Sequence, residues 1–150
     1  MILIREEEPG DYDQVRQVNR RAFGGDLEAT LVNRLRNDEL VIASLVAVQD
    51  SEIVVHILFS DLIETECGIV NAVSLAPMAV SPKFQRRGIG SELVRRGLEQ
   101  CRERGKSIVV VVGHPEYYPR FGFSSESAKR LQSPYSGAAW MALELIPRRT

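Results

Sequence analysis

The sequence predicts a mixed α/β domain, and three observations carry that prediction. A strand pattern, a long amphipathic helix pattern and a second strand pattern follow one another between Leu75 and Val112, which is the signature of a crossover unit with parallel strands. The second of those strands, S-I-V-V-V-V from Ser107 to Val112, is a continuous β-branched run, as expected for a strand covered on both faces. The chain has 150 residues, 44% of them hydrophobic and 26% charged, which suits one soluble domain able to bury a sizeable core.

The elements follow in order. Ile2 to Arg5 is short and β-prone, and Pro9-Gly10-Asp11 is a turn in which Asp11 can cap a helix. Val15, Val18 and Ala22 recur at helical spacing until Gly24-Gly25 breaks the pattern. Asp26 can cap a second helix whose apolar face is read from Leu27, Leu31 and Leu35. Glu39 to Val48 is apolar and β-branched, Gln49 to Glu52 is a tight polar turn, and Ile53 to Phe59 completes a hairpin. A polar, irregular stretch runs to about Gly68, and Ile69 to Val80 delivers the central strand. Gly88 to Arg104 is one amphipathic helix with Ile89, Leu93, Val94, Gly97, Leu98 and Cys101 on its apolar face and Gly105 as its C-terminal cap. After the buried strand, Gly113-His114-Pro115 is a break and Glu116 to Phe121 is a short helix. Residues 124–137 read as loop, and Trp140 to Ile146 alternates as a last strand. There is no internal repeat, low-complexity tract or linker.

Composition excludes several functions. The formal net charge is -1, so no global field draws the chain to nucleic acid or a membrane surface. The positive charge is local, with Lys83, Arg86, Arg87, Arg95, Arg96, Arg102 and Arg104 close together. The two cysteines, Cys67 and Cys101, form no CxxC or Cys/His spacing, which predicts neither a disulfide framework nor a metal site. The opening M-I-L-I-R-E-E-E lacks the apolar stretch of a signal peptide, and no apolar run is long enough to span a membrane. A cytoplasmic protein without membrane partners is expected.

Chemistry concentrates in Val80 to Leu93, V-S-P-K-F-Q-R-R-G-I-G-S-E-L. Here a strand gives way through a basic loop and two glycines to a helix. The first turn of a helix has unpaired N–H groups and the positive end of the dipole, and glycine lets a ligand approach that backbone, so the junction is an anion site, most often for phosphate. A dinucleotide fingerprint would need a third glycine where Leu93 stands, and the Walker A lysine is absent.

This stretch resembles the acetyl-CoA-binding motif of the GNAT superfamily of N-acetyltransferases, in which a strand is followed by [Gln/Arg]-x-x-Gly-x-[Gly/Ala] and a helix; Gln85, Gly88 and Gly90 occupy its fixed positions. Y-P-R-F-G-F, Tyr118 to Phe123, resembles the family's Y-x-x-x-G-F signature, and G-H-P-E-Y-Y-P-R-F-G-F is similar to the YhbS-type branch. The resemblance implies a twisted mixed sheet of six to seven strands flanked by about four helices. It implies acetyl-CoA as cosubstrate, with no metal. The pantetheine arm would pair with the backbone of Met78, Ala79 and Val80, and the N–H groups of Gln85, Arg86, Arg87, Gly88, Ile89, Gly90 and Ser91 would hold the pyrophosphate.

Acetyl transfer to an amine needs a neutral amine, a polarised thioester carbonyl and a proton for the departing thiolate. By the resemblance Tyr118 is that acid, with Tyr117 as the adjacent alternative. Family members often carry an asparagine near Gly113-His114; here His114 can shuttle a proton, contact the cofactor or cap the short helix. Glu28, Glu116 or a water chain can serve as base, and His56 reads as structural. Trp140 and Ser133-Pro134-Tyr135 can line an acceptor pocket, and the acceptor is a small-molecule or peptide amine that the sequence does not name. Similar proteins are commonly homodimers. The competing readings are a non-catalytic acyl-CoA-binding module on the same scaffold and a nucleic-acid binder using the arginines of residues 83 to 104.

Overall fold

The computed structural model describes residues 2–62, 71–128 and 140–145. Six strands form one sheet in sequence order: β1 (Leu3–Glu6), β2 (Val41–Gln49), β3 (Glu52–Asp61), β4 (Ala72–Val80), β5 (Ile108–Val112) and β6 (Trp140–Glu144). Helices α1 (Tyr12–Phe23) and α2 (Leu27–Asn37) precede β2, α3 (Ile89–Glu103) connects β4 to β5, and the short α4 (Ser125–Ala128) follows a 3-10 turn at Tyr118–Phe121. All strand pairs are antiparallel except β4 with β5, which is parallel. The sheet is therefore mixed, as the crossover pattern predicts.

Alternation along the strands fills two layers. On one face Val15 and Val18 of α1 and Val32 of α2 pack with Val46, Ile53, Leu58 and Ala79. On the other, Leu93, Val94, Leu98 and Cys101 of α3 pack with Leu45, Val55, Ile57, Phe59 and Val73. The crossing of α3 over β3 is close: a Cβ on Gly97 would lie 2.0 Å from Cε1 of Phe59. The β2–β3 hairpin turns through Asp50 and Ser51, both left-handed, the geometry of a two-residue primed turn.

Several local expectations are corrected. The leucine stripe of α2 is not its buried face. Leu27 is 80% and Leu31 38% exposed, whereas Ala29 and Val32 are buried and Leu35 only partly so. Neither Asp11 nor Asp26 caps the α-helix that follows it with its side chain. Asp11 accepts from Glu8 N–H, closing the preceding 3-10 turn, and pairs with Arg5, while Asp26 pairs with Arg20. Residues 125–128 are helical rather than loop. Glu116 lies outside the 3-10 turn that replaces the short helix expected from it. The strand start at Ile69 and the sequence candidates Ser133, Pro134 and Tyr135 lie outside the described residues.

Candidate active site

The site originates in a mismatch between β4 and β5. They pair only through Ala72–Ser74 with Ile108–Val110. Beyond that, β4 continues along β3 to Val80, while Val111 and Val112 of β5 continue along β6. The sheet thus opens between the C-terminal ends of two parallel strands. At this level β4 carries a bulge, since Ile57 faces Met78 while Phe59 faces Leu75.

The glycine loop sits at that opening. A 3-10 turn at Pro82–Phe84 leads into Gln85, whose side-chain amide donates to the carbonyl of Val80 at 3.5 Å. Arg86 is left-handed at φ 63, as is Gly88, the residue preceding α3, at φ 80. Such a conformation at an arginine costs energy and is concentrated at functional loops. Gly90 lies against β4: a Cβ there would be 3.5 Å from Val80 and 3.7 Å from Met78, ordinary contact distances. Steric fit to the protein therefore does not explain Gly90, which lines a cleft.

A cleft of about 690 Å³ joins these parts, lined by Met78 and Val80 from β4, by Gln85, Arg86, Arg87, Gly88, Gly90 and Ser91 from the loop and helix start, and by His114, Tyr117 and Tyr118 from the segment after β5. Of the cofactor-contacting residues expected from the sequence, Ala79 and Ile89 turn their side chains away. Ala79 is buried beneath α1, and Ile89 packs toward the α3 face of the core. Phe84, Glu116 and Arg120 also line the cleft. Phe84 and Arg120 were not legible as site residues, although a lone aromatic in a charged loop and a cation inside the Y-x-x-x-G-F segment are the signals they leave.

Tyr118 is buried at 6% exposure, with its ring edge-on to Tyr117 at 5.1 Å and to Phe123 at 5.8 Å. Burial, with a smaller contribution from Tyr117, pushes its hydroxyl up to about 12, so it stays protonated at neutral pH. A Cβ on Gly113 would lie 2.5 Å from Cε2 of Tyr118. The residue after β5 is glycine here because the tyrosine ring occupies the place of a side chain. Tyr117 is placed differently, with its hydroxyl 2.9 Å from Ser91 Oγ. His114 lines the cleft, and its carbonyl accepts from the N–H groups of Tyr117 and Tyr118, holding the turn.

The remaining candidates separate. Glu28 is in the first turn of α2 and does not line the cleft. His56 is fully buried between Asn19 and Ser44, and Trp140 packs with the small cluster around Ala128 and Ala142. Among the described residues no His, Cys, Asp and Glu side chains gather as a metal site, and no helix is long and apolar enough to cross a membrane.

The acetyltransferase (GNAT) domain family matches residues 3–125. Escherichia coli N-acetyltransferase YhbS is 34% identical over 137 residues, covering 91% of this chain and 81% of its own. N-acetyltransferase YjhQ of the same organism is 38% identical over 146 residues, covering 90% and 80%. The crystal structure of YhbS with CoA superposes at TM-score 0.86, covering 97% of this chain and 82% of that one. A GNAT acetyltransferase from Brucella melitensis with acetyl-CoA superposes at 0.83 with 31% identity, covering 100% and 92%. With the splayed strands, the glycine loop and Tyr118 on one cleft, and these relatives spanning nearly the whole chain, the protein belongs to the GNAT family of N-acetyltransferases.

Proposed function

We propose that the protein transfers the acetyl group of acetyl-CoA to a primary amine by direct attack within one ternary complex, with Tyr118 as general acid. The carrying observation is that the β4 edge, the start of α3 and Tyr118 line a single cleft. The residues suit this cosubstrate. An extended pantetheine arm can lie along the β4 edge at Met78, Ala79 and Val80, where pairing with β5 has ended. A diphosphate suits the N–H groups from Gln85 to Ser91 at the positive end of α3, beside Arg86 and Arg87.

The bound thioester supplies an activated acyl group with a thiolate leaving group. Tyr118, held protonated by burial, gives that thiolate its proton. Tyr117 is the poorer candidate because its hydroxyl is engaged with Ser91. Among the described residues Glu116 is the carboxylate that lines the cleft, and in this reading it takes the proton an arriving ammonium must lose. His114 contributes through its carbonyl, which fixes the turn carrying both tyrosines.

Tyr118→Phe tests this reading. CoA binding, measured by calorimetry, should survive, while thiol release across a panel of amine acceptors should fall about 10²-fold or more, the scale of lost acid catalysis. Undiminished turnover would refute the acid assignment. Loss of CoA binding in the variant would instead assign the tyrosine to the donor site.

A further inference from the structure

We propose that Tyr117 is a positioning residue for the donor's diphosphate, acting through the hydroxyl of Ser91. This rests on the coenzyme A reading above and extends it to a tyrosine outside the Tyr118–Phe123 motif.

Ser91 is the third residue of α3, in the turn whose N–H groups are unpaired, and it lines the cleft. Its hydroxyl has one proton and two lone pairs and rotates to suit its neighbours. Left alone, it can turn either its lone pairs or its proton toward an anion. Tyr117 reaches it from the opposite wall, with Oη 2.9 Å from Oγ. The phenol is the more acidic hydroxyl and so the better donor. When Tyr117 donates, one Ser91 lone pair is occupied and the serine proton is free to point into the cleft. A chain from Tyr117 to Ser91 to a phosphate oxygen then polarises in one direction, and each bond strengthens the next.

The rest of the wall holds Tyr117 for this purpose. Its N–H donates to the carbonyl of His114 at 3.1 Å, and Nε of Arg120 donates to the Tyr117 carbonyl at 2.9 Å. The Arg120 guanidinium lies 4.5 Å from its ring centroid, and Phe121 meets the ring edge-on at 5.3 Å. A side chain fixed in this way loses little further freedom when the donor binds.

The experiment compares CoA with pantetheine, which has the same arm and no diphosphate. Dissociation constants are measured for the wild type, Ser91→Ala, Tyr117→Phe and the double variant, by calorimetry for CoA and by NMR titration for pantetheine. Each single substitution should weaken CoA about fivefold, the scale of one hydrogen bond. The double variant should be no weaker than Ser91→Ala, and pantetheine should bind all four proteins equally. Ser91→Thr, which keeps the hydroxyl, should restore CoA affinity. Additive losses in the double variant, equal losses for pantetheine, or unchanged CoA affinity in Tyr117→Phe would each overturn the role. Wild-type protein that fails to bind CoA would overturn the cofactor reading itself.

Discussion

Gly113 and Tyr118 share one small volume: a Cβ on the glycine would lie 2.5 Å from Cε2 of the tyrosine and 3.1 Å from Cδ2. The end of β5 therefore acts as the seat of the proposed acid. Gly113→Ala should displace the ring while leaving the glycine loop intact. A displacement of about 1 Å can cost about 10²-fold in rate, so thiol release with an accepted amine should fall by that order while CoA affinity changes less than about twofold, or about 0.4 kcal/mol. A variant with wild-type turnover would remove Gly113 from this role.

The same tyrosine makes a statement about pH. Burial pushes its hydroxyl up to about 12, so the proposed acid keeps its proton throughout the range in which amines lose theirs. The rate should rise with pH as the acceptor becomes neutral and should show no descending limb from Tyr118 until pH nears 12. A pH–rate profile of kcat/KM at stable pH values is the measurement. An alkaline limb that lies well below this value in the wild type and vanishes in Tyr118→Phe would contradict the burial argument.

Gly97→Ala separates fold from site. Alanine favours a helix interior by about 1 kcal/mol over glycine, but here the added methyl would meet Phe59 at 2.0 Å and 2.6 Å. Overpacking of a filled core costs about 1–3 kcal/mol, and the aromatic ring is fully buried. Net destabilisation is expected, seen as a lower urea midpoint at unchanged m-value. A higher midpoint would mean that the helix shifts freely on the sheet.

His56 gives the fold an acid-sensitive element. The Asn19 side-chain amide donates to the carbonyl of Val15 and to His56 Nδ1, so Nε2 carries the proton and donates to Ser44, which donates to Glu7. Glu7 also pairs with Arg36. Burial, helped by the Arg36 charge, lowers the imidazole from 6.5 to about 3, and a second ring proton would point at the Asn19 donor. The unfolded chain takes up its proton first, so this contribution is complete above pH 6.5 and is lost as pH falls toward 3, with a slope approaching about 1.4 kcal/mol per pH unit between those values. His56→Gln should flatten the stability curve in that window, as read from urea unfolding at successive pH values. Identical slopes in both proteins would argue against the buried neutral ring.

The crossover unit, the glycine loop and the tyrosine motif are legible in the sequence because each is local. A β-branched run, a glycine pair before an amphipathic helix, and Tyr118 five residues before Phe123 all act over spacings that the backbone sets directly. The same reasoning failed for the leucines of α2, where three equally spaced apolar residues define a stripe but not which neighbour will cover it. Packing in three dimensions set that β4 and β5 part after Ser74, that the side chains of Ala79 and Ile89 turn into the core, and that Tyr117 engages Ser91 while Tyr118 settles on Gly113. These depend on how a helix start, two strand ends and a 3-10 turn meet in space. The two adjacent tyrosines look equivalent in the chain and part company because packing sends one ring across the cleft and the other into the core.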